Sequence, residues 1–136
     1  MRILVIDGQG GQLGAQIIKS VKSKFEGAEI TAVGTNSAAT LAMLKAGADN
    51  AATGENPVKV ACRSADVIIG PVGIVIADSL CGEITPEMAV AVGQADAVRI
   101  LVPMNKCENQ VAGVPDLSTA ALINDVTEKI GKLNMK

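Results

Sequence analysis

At 136 residues, 49% apolar and 19% charged, the chain has enough hydrophobic surface to fold as one domain, 1–136, and too little charge density for disorder. A net charge of −2 gives no electrostatic reason to expect nucleic acid, and with no His, Tyr or Trp and a single Phe, Phe25, the stacking platforms for single-stranded bases are missing. Cys62, Cys81 and Cys107 are widely spaced and have no His to complete a ligand set, so no metal site is expected.

Met1-Arg2 leads straight into an apolar run, Ile3 to Ile6, that predicts a buried strand ending at Asp7. A glycine-rich turn, Gly8-Gln9-Gly10-Gly11-Gln12-Leu13-Gly14, follows. A helix then begins at Gln12 or Leu13, with Leu13, Ile17, Ile18, Val21 and Phe25 at helical spacing. Lys19, Lys22 and Lys24 fall mostly on its other, solvated side, and Gly27 is the expected C-cap. Glu29 to Val33 predicts a second strand, and Thr35, Asn36 or Ser37 caps a helix carrying Ala38, Leu41, Ala42 and Leu44 that stops at Gly47. A short third strand is expected around Asp49 to Ala52, then a turn over Thr53 to Pro57. Val58 to Arg63 fits either a short helix or an irregular connection.

Asp66 to Gly70 is apolar on both faces, as in the middle of a parallel sheet, and Pro71-Val72-Gly73 forces a turn at its end. Ile74 to Leu80 fits helix or strand equally. The stretch from Val67 to Ala77 is too short and too broken by Gly70, Pro71 and Gly73 to span a bilayer, so no membrane partner is expected and a reducing cytoplasm is the expected compartment. Thr85-Pro86-Glu87 reads as a helix start, with Thr85 as N-cap and the helix running to about Gly93. Val98 to Val102 is the fifth strand, closed by Pro103. Gln110 to Val114 is an extra edge strand in this reading, and Asp116 caps a final helix with Leu122, Val126, Ile130 and Leu133 on one face. The alternation predicts an α/β fold: a Rossmann-like, doubly wound three-layer sandwich with a mainly parallel five-stranded sheet.

In such a sheet, ligands bind outside the carboxyl ends of the strands. Those ends carry the Gly8–Gly14 turn, Gly34 to Ser37, Thr53 to Asn56, Gly70 to Gly73 and Met104 to Cys107. The candidate contacts for a phosphate-bearing small molecule, NAD(P) or another nucleotide, are Gly8, Gln9, Gly10, Gly11, Gln12, Leu13, Gly14, Thr35, Asn36, Gly70, Pro71 and Gly73. Short strand–helix turns favour the same residue types for geometry alone. A strict G-x-G-x-x-G fails at Leu13, whereas Gly8, Gly11 and Gly14 fit G-x-x-G-x-x-G. That spacing and the Gly11-Gln-Leu-Gly14 ending resemble the extended short-chain dehydrogenase/reductase pattern. The resemblance stops at the chemistry. The proton-donating Tyr of those enzymes has no counterpart here, and Gly34 stands where an acid would hold the ribose hydroxyls of NAD. Glu29 is at the wrong end of that strand. A self-sufficient dehydrogenase is not expected, and no complete catalytic set is visible.

Further candidates have competing readings. Cys107 beside Lys106 could be a nucleophile or redox sensor on a metabolite, or simply a packed thiol. Asp7 could contact a ligand or a metal at the glycine turn, or hold loop amides. Asp78 and Glu83 are candidates for a carboxylate pair near Gly70–Gly73. A non-catalytic homo-oligomer is the remaining alternative, compatible with the high apolar fraction.

End to end, the chain resembles a small uncharacterised bacterial family, a domain-of-unknown-function group of about this length. The residues that carry this are Ile3-Leu-Val-Ile-Asp-Gly-Gln-Gly-Gly11, Gly34-Thr-Asn36, Leu44-Lys-Ala-Gly-Ala-Asp49 and Ala52-Thr-Gly-Glu-Asn56. It continues through Ala65-Asp-Val-Ile-Ile-Gly-Pro-Val-Gly-Ile74, Gly82-Glu-Ile-Thr-Pro86 and Asn105-Lys-Cys107. The resemblance implies a Rossmann-like fold and transfers no site residue.

Overall fold

The computed structural model describes residues 1–104 and 108–134. Its sheet has five strands, β1 (Arg2–Asp7), β2 (Glu29–Gly34), β3 (Asn50–Thr53), β4 (Val67–Pro71) and β5 (Val98–Val102), in the order β3-β2-β1-β4-β5. All four neighbouring pairs are parallel. The helices are α1 (Gln12–Lys24), α2 (Ser37–Lys45), α3 (Glu55–Cys62), α4 (Pro86–Gln94) and α5 (Thr119–Asn134), with a 3-10 turn at Val72–Val75. The chain winds outward from β1 to β3, then returns to β4 on the other side of β1. The C-terminal ends of β1 and β4 therefore flank the switch point, where open α/β sheets place their ligand crevice.

Alternation along the central strands builds two cores. Ile3 and Val5 of β1 face one side with Ile17, Ile18 and Val21 of α1, Met43 of α2, and Leu122, Val126 and Ile130 of α5. Leu4 and Ile6 face the other with Val58 of α3 and Met88 and Val92 of α4. Each such side chain, fully buried, contributes about 1.5–3 kcal/mol relative to leaving it in water. This is the expected Rossmann-like three-layer sandwich.

Several boundaries differ from the sequence reading, each for a local reason. Gly27 does not cap α1, which ends with the Phe25 amide bonded to the Val21 carbonyl. The helix α2 turns Ala39 and Met43 inward and leaves Leu41 and Leu44 about half exposed. Its backbone lies so close to Gly11 and Gly34 that only its small residues fit against them. The helix α3 starts at Glu55, inside the expected turn, because Pro57 at its third position sits where no helical N–H is needed. The stretch Ile74 to Leu80 is neither strand nor α-helix beyond the 3-10 turn.

The expected edge strand over Gln110 to Val114 is absent: these residues are exposed, and Gly113 at φ 79 turns the chain so that the Val114 amide bonds the Val111 carbonyl. The final helix begins at Thr119, and Ser118 rather than Asp116 caps it, its Oγ accepting from the Ala121 amide at 3.1 Å.

Candidate functional site

The site starts at the end of β1, where Asp7 pairs in register with Gly34. Asp7 is only 3% exposed. Its Oδ1 accepts from the Gly8 amide at 2.8 Å and its Oδ2 from the Gly14 amide at 2.7 Å. Gly14 is the third residue of α1, so Asp7 supplies the cap that Gly11, with no side chain, cannot. Of the two readings of Asp7, holding loop amides is the one the geometry shows. Burial pushes the Asp7 carboxyl above the ordinary range. The bonds from Gly14 and Gly8 pull it back only in part, and the nearby charge of Glu83 adds to the rise.

The three spaced glycines of the turn are filled in by protein. A Cβ at Gly8 would lie 2.6 Å from Thr35 Oγ1 and 2.9 Å from Glu83 Oε1. At Gly11, where φ is 73, it would lie 2.7 Å from the Ala39 Cα, and at Gly14 it would lie 2.6 Å from Met43 Sδ. These positions need glycine so that α1, α2 and the end of β2 can close on one another. Gly10 differs: a Cβ there would meet only the Gln12 side chain, at 4.0 Å. Gln9, Gly10 and Gln12 are exposed, and Leu13 is buried with its side chain in the α1 core. The backbone amides of Gln12 and Leu13, the first two of α1, have no acceptor among the described residues.

Beside this turn, Asn36 proves to be the N-cap of α2. Its Oδ1 accepts from the Ala39 amide at 2.8 Å and its Nδ2 donates to the Gln9 carbonyl at 2.9 Å. The Thr35 amide bonds the Asp7 carbonyl at 3.0 Å. The structure thus brings Thr35, Asn36 and the glycine turn together.

Gly70, Pro71 and Gly73 sit deeper and are buried. A Cβ on Gly70 would run into the Ile6 carbonyl, and one on Gly73 would lie 2.8 Å from Ser79 Oγ. The turn over residues 76–84 packs against these strand ends, with Leu80, 1% exposed, reaching Gly8. At the end of β3, Thr53 Oγ1 pairs with Thr40 Oγ1 at 2.7 Å, and Glu55 accepts from Thr85 Oγ1, the N-cap of α4. Lys106 and Cys107, with Asn105, lie outside the described residues.

The residue whose partners sequence reasoning did not find is Glu83. It turns toward the glycine turn, and the carboxylate that it faces there is Asp7. Glu83 Oε1 accepts from the Gln9 amide at 3.0 Å, from Asn36 Nδ2 at 2.8 Å and from Thr35 Oγ1. Partial burial works to raise this carboxyl, but the bonds from Thr35, Gln9 and Asn36 outweigh it and hold the group below the ordinary glutamate range. Glu83 is 74 positions from Gln9, so no local motif announces the contact.

Two cavities of about 530 and 560 Å³ lie elsewhere, one along α3 and the face of β2, the other between α3 and α4. Neither is lined by a residue of the Gly8–Gly14 turn. Among the described residues no group of three or more Cys, Asp or Glu could hold a metal ion, and no helix is long and apolar enough to cross a membrane.

A family model matches residues 2–135, nearly the whole chain. The chain belongs to DUF3842, a domain of unknown function. No curated protein matches this DUF3842 chain. Among solved structures it is similar to a dodecameric FMN-dependent UbiX-like decarboxylase from Escherichia coli O157:H7. That similarity has a TM-score of 0.45 and 14% identity, over 96% of this chain and 95% of that chain.

Proposed function

We propose that the carboxyl edge of the sheet, at the β1–β4 switch point, binds a phosphate-bearing small molecule such as NAD(P) or another nucleotide. The phosphate lies against the amides of Gln12 and Leu13. The observation that carries this is the state of those two amides. They open the thirteen-residue helix α1 without an acceptor among the described residues, beside Gly10, whose surroundings are free. Two such donors and the positive end of the helix dipole favour an anion.

Thermal melts of the full chain with NAD, NADP, FAD, FMN, ATP and a sugar phosphate test it. A ligand present at a hundred times its dissociation constant stabilises by about 2.7 kcal/mol. At least one of these should raise the melting temperature, and Gly10→Leu should abolish that rise while leaving the ligand-free melt nearly unchanged. A flat response to all six contradicts the proposal.

A second reading, self-association, is favoured by Leu41 and Leu44. They lie three apart on the outer face of α2, 50% and 47% exposed. Light scattering should then show an oligomer that Leu41→Lys disrupts; a monomer at all concentrations removes this reading.

A further inference from the structure

The end of β2 poses a problem that Glu83 solves. Nucleotide sites of this topology place an acid there to accept the ribose hydroxyls. Here Gly34 occupies the position, and no acid can replace it, since a Cβ would lie 2.5 Å from the backbone nitrogen of Thr40. The helix α2 has taken the space.

A carboxylate nevertheless reaches the same place from the turn before α4. All three donors to Glu83 converge on Oε1: the Gln9 amide from the β1 side, and Thr35 Oγ1 and Asn36 Nδ2 from the β2 side. Oε2 has no donor among the described residues, and Glu83 is half-buried beside exposed Gln9. One oxygen is therefore anchored while the other remains able to accept. The turn that delivers it is backbone-strained. Asp78, Leu80 and Cys81 all have positive φ, at 65, 54 and 56°, a conformation that non-glycine residues adopt only when their surroundings demand it. The demand comes from both sides, with Leu80 and Ile84 buried in the core and Glu83 tied to the two strand ends.

We infer that Glu83 is the hydroxyl-reading residue of this site: its free Oε2 accepts from the vicinal hydroxyls of a ribose whose phosphate lies at the start of α1. This rests on the phosphate site proposed above and narrows its ligand to a nucleotide with a free 2′-hydroxyl. A 2′-phosphate would set its own negative charge against the Glu83 carboxylate, and a 2′-deoxy sugar would leave the carboxylate one donor short.

Calorimetric titration of the full chain with two matched pairs, NAD against NADP and ATP against 2′-deoxy-ATP, provides the test. The pair that binds should show about tenfold or greater preference for the member with the free 2′-hydroxyl. Glu83→Gln, which keeps size but removes charge, should narrow the NAD preference over NADP. Equal affinity within a bound pair, or a preference for NADP, overturns the assignment while leaving the phosphate site standing. Binding of none of the four overturns the Glu83 assignment, and a flat melt with FAD, FMN and the sugar phosphate as well overturns the phosphate site with it. The wild-type comparison does not depend on the variant folding, and a melt of Glu83→Gln shows whether its titration reports on a folded chain.

Discussion

The Gly14 amide donates a 2.7 Å hydrogen bond to Asp7 Oδ2, so the last residue of β1 caps the helix that follows it. The Gly8 amide takes the other oxygen, and one buried carboxylate thus fixes both ends of the glycine turn. Asp7→Asn keeps the shape but offers one acceptor where two amides need one each, and turns an N–H toward the other. Leaving a buried donor unsatisfied costs about 1–3 kcal/mol. Chemical denaturation should show a loss of that order, and a variant as stable as the wild type would contradict the capping role.

The two carboxylates of the site should leave opposite marks on stability against pH. Asp7 has a folded pKa raised above its ordinary 3.8, so its contribution is fully present below that value and is lost as pH rises through the raised one. Glu83 has a folded pKa lowered from 4.5, so its contribution is present above 4.5 and is lost as pH falls through the lowered value. The stability difference between wild type and Asp7→Asn should shrink with rising pH. The difference between wild type and Glu83→Gln should shrink with falling pH. Denaturation midpoints across the acid range check both signs.

Anion binding should also be coupled to proton uptake. A phosphate near Asp7 raises its pKa further in the complex, so affinity should be constant below the free-state pKa and fall as pH rises above it. Titration in buffers of different ionisation enthalpy would detect the proton taken up. No uptake through the titration of Asp7 would place the anion away from this turn.

The glycines should separate into two groups. Gly11→Ala would set a Cβ against the Ala39 backbone at φ 73, and Gly34→Ala would set one against the Thr40 backbone. Overpacking of this kind costs about 1–3 kcal/mol. Gly10→Ala, with open space around it, should change stability by no more than about 0.5 kcal/mol. Denaturation curves that fail to rank Gly10→Ala well above the other two would count against this packing of α1 on α2.

The sheet was legible because its signals are local. Ile3 to Ile6 and Val67 to Ile69 are apolar runs, Val98 to Val102 is one interrupted only by Arg99, and Thr85-Pro86 marks a helix start. Where the reading went astray, tertiary contacts had decided the outcome. Leu41 and Leu44 look like core residues, yet Gly11 and Gly34 admit α2 so closely that Ala39 and Met43 face inward. Gly8, Gly11 and Gly14 also have a packing role that their spacing does not reveal, since they admit Thr35, Ala39 and Met43. Glu83 was invisible as a partner of Gln9 because its position depends on three non-glycine residues with positive φ, which no composition rule predicts.

Amide-resolved NMR during titration with ATP or NAD tests the phosphate site most directly. Binding at the start of α1 predicts saturable shifts of the Gln12 and Leu13 amides, with Gly10 moving beside them. Saturable binding that leaves those three resonances in place, or that moves only residues along the α3–α4 groove, would contradict it.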